Sequence, residues 1–162
     1  MASYRLIFGI IIGIILSFFS VFFFNMTGVI TQIKQYVGSD TIKAASLLVG
    51  ANFDFDMISF FTSNPTILGF FAPELLAWIF LGFLSGAIAK GTKRGVVTGL
   101  LIVVIDVLLW IIFSIVSGED LMALFQDTQL SETLGGIISA ILGAFIGGGL
   151  GGLISGPYEE FY

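Results

Sequence analysis

The chain has 162 residues, 57% of them hydrophobic and 10% charged, with a mean hydropathy of +1.08 and a net charge of −5. Soluble domains carry about a quarter charged residues, and a fold this small cannot hide so much apolar surface from water, so lipid is the matching solvent. Cys and His are both absent, which removes disulfides, thiol nucleophiles, His-based catalysis and His or Cys metal ligation; the few cations form no nucleic-acid-binding face.

A spanning helix needs about 20 largely apolar residues, and the first candidate is Leu6–Met26, uncharged throughout. Its apolar run is longer than the ~7–15 residues of a signal peptide, and Phe22-Phe23-Phe24-Asn25 offers no small-residue cleavage site, so a retained helix is expected.

Residues 27–72 are mixed and read as an extracytoplasmic loop with a small element of its own. Ser39-Asp40 can cap a short helix through Leu48, and Gly50 is a plausible stop. The Phe-rich stretch Met57–Phe61 is too short to span and is expected at the interface or against the bundle. Asn52-x-Asp54-x-Asp56 has the spacing of early calcium-loop ligands, but Met57 replaces the required Gly and Ser63 stands where Glu should be. A solvated loop is the better reading, and no metal or other cofactor is expected.

The second span is Pro73–Ala89, with Pro at the first helical position and Glu74 in the first turn, where the helix dipole favours an acid. Lys90-Gly91-Thr92-Lys93-Arg94 makes a tight basic turn, and Gly95–Ser117 is the third span. Residues 118–133 follow as a second extracytoplasmic loop, in which Leu121, Leu124 and Phe125 form the apolar face of an amphipathic stretch on the membrane surface. Leu134–Ser155 is the fourth span.

The fold expected is therefore all-α: a polytopic bundle of about four transmembrane helices forming one membrane domain. Lys and Arg near span ends set orientation. Arg5, Lys90, Lys93 and Arg94 against Lys34 and Lys43 place both termini in the cytoplasm of a multi-pass cell-membrane protein, with Tyr36 and Trp78 near the outer interface.

Two features of the spans carry functional expectations. In the fourth, Gly135, Ser139, Gly143, Gly147, Gly151 and Ser155 recur every four residues, and Gly136, Ala140, Ala144, Gly148, Gly152 and Gly156 run beside them. Small residues let helix backbones approach closely in lipid, where hydrophobic drive between helices is weak. Such a glycine zipper serves either packing inside the bundle or contact with a second subunit.

The other feature is Asp106, eleven residues from either end of its span, hence roughly 16 Å from both interfaces. An ionised Asp there costs about 2.5 kcal/mol or more, and no Lys or Arg lies at its depth. It is read as a neutral acid clamping two helices, as a proton or cation site, or as the partner of a charge on another subunit.

No paired carboxylates share a depth, so no general acid–base set can be assembled. The leading expectation is a non-enzymatic subunit of a homo-oligomer or a larger membrane complex, with the bilayer and other membrane subunits as partners. The alternative is an ion- or proton-conducting component using Asp106.

Overall fold

The computed structural model describes residues 4–63, 65–120, 122 and 126–157. Among these the chain is helical with no strand: α1 (Tyr4–Phe23), α2 (Thr27–Tyr36), α3 (Thr41–Gly50), a 3-10 turn (Ala51–Phe53), α4 (Met57–Thr62), α5 (Ile67–Phe70), α6 (Pro73–Ala89), α7 (Thr92–Val116) and α8 (Asp127–Ile154). Four helical runs are long and apolar enough to cross a membrane, at 4–23, 41–62, 92–116 and 129–154, and α6 is a shorter apolar helix of 17 residues.

Packing decides which of these runs cross together. Gly9 of α1 faces Ser85 of α6 and Thr98 of α7, and Gly13 faces Ile102, so α1 and α7 run parallel. On α8, Ala144 meets Gly99 while Gly148 meets Gly95, so α8 runs against α7 and alongside α6. The order is up, down, up, down through α1, α6, α7 and α8. Both ends of the described chain lie at one end of the bundle, here the terminal end; the other is the far end. At about 1.5 Å per residue, α6 covers about 25 Å, near the lower limit for a span.

The run 41–62 is broken at 54–56 and stays at one end of the bundle. Val21, near the end of α1, and Ala77, near the start of α6, share one buried cluster, so the 24–72 connection leaves and returns at the far end. Within it α3 descends along α7: Ser46 Oγ lies 2.9 Å from Ser114 Oγ, and Gly50 lies against Trp110 one turn deeper. The 3-10 turn is the lowest point, and Phe53 there packs on Trp78, Trp110 and the backbone of Gly136. The chain then breaks at 54–56, and α4 packs against the first part of α8. Asp40 caps α3 by accepting from Lys43 N, and Asp56 caps α4 by accepting from the N–H groups of Ile58 and Ser59. The expected loop is thus a helix–break–helix insert that dips into the far half of the bundle.

Several boundaries differ from the sequence expectations. The first helix ends at Phe23, and α2, which the pattern did not suggest, follows a short turn. The basic turn shrinks to Lys90-Gly91, because Thr92, Lys93 and Arg94 already belong to α7. Residues 127–133 extend α8 rather than lying on the membrane surface; Leu121, Leu124 and Phe125 lie outside the described residues.

The distribution of side chains is inverted relative to a soluble protein. Exposed positions include Phe8, Ile11, Phe19, Val104, Leu108, Ile112, Phe145 and Leu150, whereas Ser17, Ser20, Ser46, Asn52, Ser85, Thr98, Asp106, Ser114 and Ser139 are buried. Lipid solvates the first set, and the second must find partners inside.

Candidate functional site

The inward faces of α1, α6 and α7 and the tip of the dip converge on one polar cluster in the far half of the bundle. Asn52, at the lowest point of the chain between α1 and α6, is 1% exposed. Its Nδ2 donates to the Ser17 carbonyl at 3.1 Å, and its own carbonyl accepts the indole N–H of Trp78 at 2.7 Å. Ser20 Oγ lies within hydrogen-bonding reach of both Asn52 Oδ1 and the Ser17 carbonyl. The dip is therefore tied to α1 and α6 by bonds to its deepest residue.

Trp78, expected near the outer interface, is instead fully buried. Its ring packs on Phe53, and its single donor is consumed by Asn52. Neither Asn52 nor Trp78 was singled out from sequence as a core polar pair. The available signal was weak: an Asn after an apolar helix ending in Gly50, and a Trp inside rather than at the edge of a span.

Asp106 sits beside this cluster on α7, ten residues or about 15 Å from the far end of that helix. It is 0% exposed, and neither carboxyl oxygen has a hydrogen bond to a described residue. Ser17 is a hydrogen-bonding neighbour of the carboxyl, yet its Oγ donates to the Ile14 carbonyl at 2.8 Å and makes no bond of normal geometry to the acid. A buried carboxyl without a partner is rare and costly.

Two crevices open toward the far end above Asp106. One, about 360 Å³, is lined by Phe53, Asp54, Asp56, Ser59, Trp110, Gln129, Glu132 and Thr133. The other, about 310 Å³, includes Ser46, Gly50, Ala51, Asp54, Trp110 and Glu119. Both end at Trp110, one turn or about 6 Å above Asp106, where its ring stacks on Phe53 at 5.6 Å and 14°. Asp106 lines neither crevice, and the Trp110 ring stands between the acid's turn and theirs.

Toward the terminal end, Ser85 and Thr98 are buried where α1, α6 and α7 meet. Ser85 Oγ donates to the Leu81 carbonyl and Thr98 Oγ1 to the Arg94 carbonyl, both four residues back on the same helix. Such back-bonded hydroxyls occupy the interior without locking one helix to another.

The small residues of α8 are taken up inside the chain. On the first track, Gly143 lies on Trp78 and Leu75, Gly147 on the Ile79 carbonyl and Gly151 on the Phe83 carbonyl, all of α6, while Gly135 meets Asp56. Ser139, on the same track, is buried with its hydroxyl lacking a hydrogen-bond partner among the described residues, and Ser155 lies just past the end of α8. On the second track, Gly136 meets the Phe53 carbonyl, Gly148 the Gly95 carbonyl and Gly152 the Gly91 carbonyl. The first track faces α6 and the second lies between α6 and α7, since Gly82 and Gly86 of α6 also close on Ala144 and Gly148. A further subunit approaching α8 would meet Ile141, Leu142, Phe145 and Ile146 instead, all of them exposed.

Comparison with protein-family models, with curated proteins and with solved structures returns no match. The function must be argued from the geometry.

Among the described residues no group of three or more acids is placed to hold a metal ion. Asn52 and Asp56, two members of the calcium-like spacing, are spent on Ser17, Ser20 and Trp78 and on the cap of α4. At the depth of Asp106 the cluster offers one carboxyl, hydroxyls, one amide and backbone carbonyls. That set suits binding a proton better than stripping water from a multivalent cation, which demands several oxygen ligands at once.

Proposed function

We infer that this chain is a non-enzymatic integral membrane protein that binds and relays a proton through Asp106. The observation that carries the reading is the burial of both Asp106 oxygens without a hydrogen bond, in a bundle whose other polar groups nearby are nearly all paired. An ionisable residue at that depth is a functional residue by default.

The geometry supports an occluded state. Access from the far end requires the Trp110–Phe53 stack to part, which connects the acid-lined crevices to Asp106. On the terminal side, Ser17, Ser85 and Thr98 supply hydroxyls that can exchange their intrahelical acceptors for a passing proton or a water. Indole rotation and separation of one helix pair are motions of the microsecond-to-millisecond class.

The expected setting is the cell membrane with both termini in the cytoplasm, supported by Arg5, Lys90, Lys93 and Arg94 at the terminal end against Lys34 and Lys43 at the far end. Membership of a homo-oligomer or larger complex is compatible with this reading, but it has to use the bulky lipid-facing surfaces, since the α8 tracks are occupied.

The test is proton flux into liposomes carrying an internal pH-sensitive dye, driven by a potassium diffusion potential. The wild-type chain should acidify the lumen, and Asp106→Asn should reduce the rate to that of empty liposomes. Equal flux from both proteins sinks the proposal.

A further inference from the structure

We propose that the hollow between the α6–α7 turn and the end of α8 binds the phosphate group of an anionic phospholipid. This inference is independent of the Asp106 reading, since it lies at the opposite end of the bundle.

The hollow is built by backbone geometry. The turn from α6 to α7 passes through Lys90 at φ 56° and Gly91 at φ 84°, and Gly91 N–H donates to the Gly152 carbonyl of α8 at 3.1 Å. A non-glycine residue at positive φ is uncommon and is held only by its surroundings. With the turn leaning on Gly152, and α8 turning away at Gly156 (φ 82°), a space of about 500 Å³ remains between them. Its lining has two parts. Lys90, Lys93 and Arg94 supply three cations, while Leu153 and Pro157 supply an apolar wall. Among the described residues no Asp or Glu lines it.

Its level in the membrane follows from the helices that bound it. α7 begins at Thr92 and α8 ends at Ile154, so the hollow lies where two spanning helices leave the hydrocarbon. A loop placed there only to fix orientation needs charge but no cavity. Here charge and cavity coincide with an apolar wall continuous with the lipid-facing Leu153, which is 65% exposed. Cations facing a hollow at headgroup depth suit a phosphate diester, and an apolar wall descending from it suits the glycerol and first acyl carbons. Lys90 and Lys93 each offer a mobile point charge to the same group.

The experiment is thermal unfolding of the full chain in detergent micelles doped with phosphatidylglycerol or with phosphatidylcholine. Phosphatidylglycerol should raise Tm by about 3–6 °C over phosphatidylcholine. In Lys90→Gln/Lys93→Gln the lipid fraction giving half of that shift should rise about tenfold. Lys34→Gln/Lys43→Gln, which removes the far-end cations, should leave it unchanged. If the first double variant does not fold, Lys93→Gln alone is read for a smaller change in the same direction. Equal Tm in the two lipids overturns the proposal, as does a shift indifferent to Lys90 and Lys93. Inorganic phosphate at millimolar concentration reproducing the whole effect assigns the hollow to the free anion and overturns the lipid. A shift seen only after Glu159→Gln/Glu160→Gln makes the chain's own tail the occupant, with the same consequence.

Discussion

The indole N–H of Trp78 and the backbone carbonyl of Asn52 meet at 2.7 Å, both wholly inside the bundle. The bond joins the start of a spanning helix to the lowest point of a segment that does not span. In hydrocarbon no water can replace either partner. The position of the dip therefore depends on a contact between residues 26 apart in sequence.

Replacing Trp78 by Phe keeps much of the ring but deletes the donor, leaving the Asn52 carbonyl without its partner. A loss of about 1–3 kcal/mol is expected, the cost of an unsatisfied buried polar group. Urea- or heat-induced unfolding in detergent measures it. Stability equal to wild type would show that another donor reaches Asn52.

The absence of Cys from the sequence makes topology directly testable. Single Cys residues at Ser39, Ser63 and Thr92 can be labelled in sealed vesicles with a membrane-impermeant maleimide. Ser39→Cys and Ser63→Cys should react from one side and Thr92→Cys from the other. If the run 41–62 crossed, positions 39 and 63 would instead report opposite sides.

The four long helices of the bundle were legible because each is an apolar run between polar ends, and α6 was recognised as a helix despite its short length by Pro73 at its start and Lys90-Gly91 at its end. The dip was not legible. Residues 41–62 mix apolar residues with Asn52, Asp54 and Asp56, a pattern that fits a surface loop equally well. What makes it insert is a set of partners on three other helices, namely Ser17 and Ser20, Trp78, and Gly136, none of which is near it in sequence. Asp106 was found from its depth alone. That it lacks a hydrogen bond depends on Ser17 donating to Ile14, a rotamer choice no residue pattern records.

Gly147 on the first glycine track and Gly149, which lies off both tracks, make a matched pair of substitutions available. A Cβ on Gly147 would run into the Ile79 carbonyl, whereas one on Gly149 would lie 3.6 Å from Val96 Cγ2, an ordinary contact. Gly147→Ala should destabilise by about 1–3 kcal/mol through overpacking. Gly149→Ala should be neutral or stabilising by up to about 1 kcal/mol, since Ala is the better helix former. Comparable melting of the two variants would mean that α8 does not pack on α6 at this distance.

Ser46 and Ser114 tie the descending arm of the dip to α7 through a single hydroxyl pair. Ser46→Ala or Ser114→Ala alone strands the remaining hydroxyl, while the double replacement strands neither. A double-mutant cycle should give a coupling of about 0.5–1.5 kcal/mol. Strict additivity would show that each hydroxyl bonds to its own helix instead.

The contact between Phe53 and Gly136 also has a bearing on biosynthesis. The insert is made well before the glycine that receives it, which belongs to α8, with α5, α6 and α7 in between. Residues 41–62 must therefore wait, partly docked or at the lipid surface, until α8 has entered the membrane. Docking of the insert thus completes inside the bilayer only once α8 is in place, and a chain stopped before Gly136 is expected to leave that segment open to added protease.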